Sequence, residues 1–260
     1  MNRLRTATVL IVLLLAAALL VAFLPARWMV STLEARLHGL RLAGVSGSLW
    51  QGHAERLLAV DGTDLGQLDW QLSRHALLGD TRLSVHLAGP LGSFSADMQQ
   101  LDAQRMEWRG LQLEGDLAAL RTHMMPAGSQ LRGALKFEGK RLVLQGRWPV
   151  EVDAQAQWAD AGLQAQGREL TFGNLQLQAQ GQGGVVQGSL QDDGKGPLQV
   201  DGQFMLSPLG WRYDIAARPR SADPALRRWL AGFGPLTADN TLHLQRHGGL
   251  AAPAPAQGTP

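Results

Sequence analysis

The chain has no cysteine, three lysines and one tyrosine among 260 residues. Without cysteine there is no disulfide framework, no thiol nucleophile and no thiolate zinc site, so packing and hydrogen bonds alone hold the fold. The absence fits an oxidising compartment and a reducing one equally. Lys136, Lys140 and Lys195 are the only lysines, and the formal net charge is only +2. Such a balance carries no footprint of nucleic-acid binding, and no nucleic acid is expected as a partner. Charged residues make up 18% and hydrophobic residues 45%, which excludes a disordered polyelectrolyte. No alternation of strands with long helices occurs, so a parallel α/β enzyme fold is not expected.

The usual signs of catalysis are missing as well. His53, His75, His86, His123 and His243 are scattered without zinc-like spacing, and each is read as a solvated side chain. Gly181-Gln182-Gly183-Gly184 lacks the spacing of a phosphate loop and has no helix after it, so it is read as a hairpin loop. Asp192-Asp193-Gly194 has the composition of a solvated turn. No nucleophile elbow is present. The expectation is a protein that is not an enzyme, with no catalytic residue, no metal and no cofactor.

What the chain does have begins at its amino end. Thr6 to Leu24 is a run of 19 uncharged residues, roughly 28 Å long as a helix and close to the thickness of a bilayer core. Arg3 and Arg5 precede it. Leu24-Pro25-Ala26-Arg27-Trp28 follows and makes a poor signal-peptidase site, so the run is read as an uncleaved transmembrane anchor. Its short leader would stay cytoplasmic, with Arg3, Arg5 and Trp28 at the membrane interface. Trp28, Met29, Leu33 and Leu37 share one helical face, which suggests a juxtamembrane helix over residues 28–40.

After Arg41 the apolar period changes to two. Leu68, Trp70 and Leu72 alternate with polar residues, as do Leu83, Val85 and Leu87. The same holds for Val150 to Trp158, Leu175 to Ala179, Trp211 to Ile215, and Leu242 with Leu244. This is the pattern of half-buried antiparallel strands. Glycines recur about every 8–12 residues and are read as strand ends or bends of an all-β domain. One helix is expected at Asp223 to Ala231, with Pro224 in its first turn and Gly232 ending it. The glutamine-rich polar faces, short of lysine, protect strand edges poorly, so a partner strand or a second copy of the chain is expected. The domain plan is a leader and anchor at 1–27, the juxtamembrane helix at 28–40, a β domain at 41–248 and a disordered tail at 249–260.

One stretch is richer in glycine and large apolar residues than a sheet needs. Val45-Ser46-Gly47-Ser48-Leu49-Trp50-Gln51-Gly52 is followed by Leu65-Gly66-Gln67-Leu68-Asp69-Trp70-Gln71-Leu72 and then by Ala76-Leu77-Leu78-Gly79. With the Leu24-Pro25-Ala26 step after the hydrophobic run, this ordered set resembles the type II secretion system protein N family. The residues carrying the resemblance are Gly47, Leu49, Trp50, Gly52, Leu65, Gly66, Trp70 and Leu72, read as structural. The chain departs from the family pattern at Arg74-His75, where a proline is expected. The resemblance implies a single-pass inner-membrane protein of a Gram-negative bacterium with its β domain in the periplasm. Its partners would be membrane lipid and other secretion subunits, in the inner-membrane platform or the secretin. It also implies a mainly β fold, a transmembrane helix followed by a curved antiparallel sheet arranged as an AsmA-like open trough or a sandwich. The alternative function is a membrane-anchored periplasmic lipid-handling module of AsmA-like type.

Overall fold

The computed structural model describes residues 25–28, 30, 34, 39–119, 129–165 and 168–250. The hydrophobic run, Arg3 and Arg5, most of the amphipathic segment, the Trp28 side chain and most of the tail lie outside the described residues. Among the described residues no helix is long and apolar enough to cross a membrane.

Among the described residues, thirteen antiparallel strands follow one another in chain order within one sheet. Strands β1 (Arg41–Gly47) and β13 (Leu242–Gly249) end the order and pair on one side only, so the sheet is open. All thirteen belong to this sheet, so the sandwich arrangement is not formed. Short hairpins explain most of the order, because a strand leaving a tight turn pairs most readily with the strand it has just left, while residues 220–241 make a longer connection that contains a helix.

The residues divide into two compact units, one reaching to residue 90 and adding 97–100, the other taking 91–96 and the residues from 101 on. The first contains β1, β2 (Gln51–Leu58), β3 (Asp64–Leu72) and β4 (Arg82–Gly89). Strand β5 (Gly92–Gln100) contributes to both units. The second contains β6 (Arg105–Asp116), β7 (Ser129–Gln145), β8 (Trp148–Ala165), β9 (Arg168–Gln182), β10 (Val185–Asp192), β11 (Leu198–Ser207) and β12 (Gly210–Pro219), then helix α1 (Pro224–Ala231) and β13.

The alternating segments all lie in strands, and the helix forms where Asp223 and Pro224 predict it. Asp223 Oδ1 accepts from the backbone N–H of Ala225 at 2.8 Å and of Leu226 at 3.2 Å, which satisfies two amides that the first helical turn leaves unpaired. The hairpin reading of Gly183-Gly184 also holds, with both glycines at positive φ, +61° and +83°. Other glycines mark bends within strands more often than strand ends, as Gly173 does at φ +95°. Gly79 and Gly146 do sit in turns, but Gly139, Gly162, Gly173 and Gly202 lie inside strands, and β7, β8 and β9 run to 17, 18 and 15 residues. Local register shifts, such as those at Arg132/Ala134 and Trp158/Ala161, let these strands pass irregularities without ending.

The apolar face of the second unit can be followed across strands by register. One row runs Leu113, Phe137, Ala156, Leu177, Leu190, Gly202, Ile215 and Leu244 from β6 to β13. The opposite face carries Gln155, Gln178, Ser189, Gln203, Asp214 and Gln245 in one row. The main core lies where α1 covers the apolar side. Leu226 and Leu230 are fully buried against Leu163, Phe172, Leu198, Val200 and Leu242. Trp229 reaches the ring of Phe172 with centroids 4.8 Å apart.

Candidate functional site

The residues that carry the sequence motif all fall in the first unit, and the fold separates them into two groups. The larger group surrounds the β1–β2 turn. Gly47 pairs with Gly52 across it. Its φ is +82°, and a Cβ there would fall 2.6 Å from the Gln51 carbonyl oxygen, so only glycine fits. Ser48 closes the turn by donating its backbone N–H to the Gln51 carbonyl at 2.8 Å. Gly52 stands opposite Trp70 of β3, and a Cβ on Gly52 would lie 2.1 Å from the indole ring. The tryptophan therefore lies across bare backbone, and its Nε1–H donates to the Leu49 carbonyl at 3.2 Å. Trp50 is buried, and its carbonyl accepts from Leu72 N–H at 2.7 Å. Gly47, Leu49, Trp50, Gly52, Trp70 and Leu72 thus form one interlocked corner.

Leu65 and Gly66 sit at the other end of β3. Gly66, at φ +112°, lets β4 approach until a Cβ would be 2.2 Å from the Ala88 carbonyl oxygen. Their role is the spacing of β3 against β4.

The corner also holds the segment that follows the hydrophobic run. Pro25 forms an antiparallel bridge with Ser48, and Ala26 is buried. Pro25 and Ala26 and the tryptophan motif, some twenty residues apart in the chain, thus belong to one structural feature. At Arg74-His75, where the family pattern has proline, the chain makes a short 3-10 turn, Arg74–Leu78. Ser73 caps it by accepting from His75 N–H at 3.2 Å, and Gly79 at φ +94° ends it. A hydroxyl cap and a left-handed glycine set this turn without proline.

Register brings one suggestive row together in the same unit: Ser46 on β1, His53 on β2 and Asp69 on β3. His53 Nδ1 and Asp69 Oδ1 are 2.7 Å apart and both side chains are solvated, whereas no hydrogen bond joins Ser46 to His53. The row lacks the nucleophile–base contact of an activated serine. Among the described residues no three His, Asp or Glu side chains are grouped to hold a metal ion.

The second unit has its own polar features. Glu107 is 1% exposed. Its carboxylate meets Arg141 Nε at 2.6 Å and an Arg109 terminal nitrogen at 2.8 Å. Burial pushes its pKa up, but hydrogen bonds from the two guanidinium groups outweigh this and hold it below the usual glutamate range. Arg141 also pairs with Glu151, so the network ties β6, β7 and β8 together. Asp192 behaves alike. Burial raises its pKa, but bonds from the Val200 backbone, Arg220 and the Gly194 backbone lower it further, fixing the β10–β11 turn. Sequence spacing gave no hint of the Glu107 network, whose partner Arg141 is a cross-strand neighbour 34 residues away. An open hollow of about 1400 Å³ lies over β8–β13 on the glutamine-bearing face, lined by Gln178, Gln180, Gln187, Gln203, Arg212 and Gln245.

The site is therefore architectural: a glycine–tryptophan corner in an open, meandering antiparallel sheet, which clasps the chain emerging from a hydrophobic amino-terminal run. Residues 38–244 match the family model for type II secretion system (T2SS), protein N. The match covers well over half the chain, and the chain belongs to that family, which links it to type II protein secretion. No match is found among curated proteins or among solved structures.

Proposed function

We propose that this chain is a non-enzymatic accessory subunit of the type II secretion machinery, held in the inner membrane by residues 6–24. Its β domain faces the periplasm and supports export of folded proteins by contacting other secretion subunits. The family match over residues 38–244 carries this reading. The Pro25–Ser48 bridge supports it, since a bridge one residue past the hydrophobic run ties an anchor directly to the sheet. The test combines a pull-down of the full chain from intact envelopes with secretion measured in a deletion strain. Recovery of platform or secretin subunits and loss of exoprotein release are expected. No secretion subunit, together with normal release, overturns the reading.

One observation favours a second reading, a lipid-handling module. Away from α1, the apolar face of the second unit carries Ala154, Ala179, Gly188, Phe204 and Tyr213 in one row and Val152, Gly181, Val186, Leu206 and Trp211 in the next. Leu206 and Trp211 stay 40% and 43% exposed, and small residues make much of this face shallow. Such a strip suits an acyl chain. Mass spectrometry of the purified full chain should then find co-purified phospholipid that a variant with a charge on the exposed strip, Leu206→Asp, loses. Lipid-free protein counts against this reading.

A further inference from the structure

The β3–β4 turn presents two leucines to solvent in a fixed conformation. Leu77 is 63% exposed and Leu78 is 86% exposed. Neither contributes to the core, and the turn that carries them is not loose. Ser73 caps its start, Gly79 N–H bonds back to the Ala76 carbonyl at 3.2 Å, and Asp80 N–H bonds to the His75 carbonyl at 3.1 Å. A rigid turn that aims a pair of large apolar side chains outward is a contact device in search of an apolar surface.

Strand direction shows where that surface lies. Strand β1 runs toward the β1–β2 turn, β2 runs away from it, and β3 runs back toward it, because consecutive pairs are antiparallel. The end of β3 accordingly reaches the β1–β2 turn, as the bond from Leu72 N–H to the Trp50 carbonyl records. The turn bearing Leu77 and Leu78 leaves the sheet at this same end. Pro25 is bridged to Ser48 there, one residue after the uncharged Thr6–Leu24 run stops. Arg27 and Arg74 are exposed on the same two segments, one beside the bridge and one beside the leucines. Apolar side chains beside arginines suit the boundary between acyl chains and anionic headgroups.

We infer that the Leu77–Leu78 turn is a second membrane contact, inserted into the bilayer surface beside the anchor. The occupant of this apolar pair is lipid. The contact gives the first unit two attachments, one through the anchor and one through the turn, and so holds its sheet end-on to the membrane. The inference rests on the reading of residues 6–24 as a membrane anchor, and the experiment separates the two.

Because the chain has no cysteine, single cysteines can be labelled without background. Leu78→Cys, Val60→Cys and Leu14→Cys variants of the full chain are each labelled with an environment-sensitive fluorophore. They are reconstituted in vesicles of phosphatidylethanolamine and phosphatidylglycerol, then challenged with a lipid-borne quencher and with iodide in the water. Val60 is the control, 78% exposed on the β2–β3 turn at the far end of the sheet. Leu14 reports the anchor. The expected result is severalfold stronger lipid quenching at positions 14 and 78 than at 60, with the reverse order for iodide. A label at 78 that behaves like the one at 60 while 14 is inserted overturns the turn contact and leaves the anchor standing. A label at 14 open to iodide overturns the anchor, and the label at 78 then decides the lipid contact alone. Both outer positions are exposed, so neither substitution disturbs packing. A Leu77→Asp/Leu78→Asp variant gives an independent readout: blue-shifted emission from a label at Ala76→Cys should be lost, and an unchanged spectrum argues against insertion.

Discussion

In the second unit a helix lies on the sheet, and its Leu226 and Leu230 close a buried cluster drawn from five strands. Among the described residues of the first unit the buried apolar ones are few, Ala26, Trp50, Ala54 and Leu57, and order comes from tight backbone approach. Trp70 lies across Gly52, Gly66 admits β4, and Gly47 turns the chain. The two solutions read very differently in sequence. Helix-on-sheet packing accepts many apolar residues of suitable volume, so it leaves a pattern and no motif. A ring seated on bare backbone demands glycine at one position and an aromatic at another, and it leaves a motif. The family resemblance therefore sits where the core is thinnest.

Substitution should separate these two ways of holding a sheet. The largest effect is expected at α1. Leu226→Ala should cost about 2–5 kcal/mol, measured by chemical denaturation of the full chain, and an unchanged midpoint would show that the helix does not organise the second unit. Next comes Gly52→Ala, expected to cost about 1–3 kcal/mol through collision with the Trp70 ring. Here the three nearest atoms all belong to the Trp70 ring, so Trp70→Ala should relieve much of the clash, and the double variant should be less destabilised than the sum of the singles. The contrasting cycle is Gly188→Ala with Phe204→Ala. At Gly188 a Cβ would meet the ring at 2.2 Å and also the Gln178 carbonyl oxygen at 2.4 Å, so removing the ring cannot restore stability. Equal rescue in both cycles would erase the distinction.

A smaller change is expected from Asp223→Ala, about 1 kcal/mol, because it returns two helix amides to an unpaired state. The smallest concerns acid. Glu107 has a folded-state pKa below its unfolded value, which for a glutamate is about 4.3. Its contribution is complete above that value and is lost as pH falls through the lower folded value. Glu107→Gln should therefore flatten the decline in stability below about pH 4.3, with little change in that slope near neutrality. An identical acid slope in the two proteins would mean that the network leaves folding untouched.

The legible part of the fold was the local part. Alternation at Leu68 to Leu72 or Trp211 to Ile215 marks a strand because side chains on a pleated backbone switch faces at every residue, wherever the strand lies. Asp223-Pro224 marks a helix start because its hydrogen bonds close within three residues. Strand length was not legible, since a glycine such as Gly139 or Gly202 has the same letter in a turn and in a strand beneath a neighbour's side chain. The candidate site was half legible. Its residues were visible, but the bridge from Pro25 to Ser48 and the division of the motif between two ends of β3 were not.

Taken alone, the sequence determined the class of elements, the missing thiol chemistry, the uncharged amino-terminal run and the family's ordered tryptophan motif. The tertiary structure decided which partners these residues meet. It laid Trp70 on Gly52, set Arg141 beside Glu107 and turned Leu77 and Leu78 outward at the end where Pro25 is clasped. The reason is physical: the period of two is a property of each residue's own backbone, whereas these contacts depend on the register between strands, which is fixed only when the whole ladder of hydrogen bonds closes.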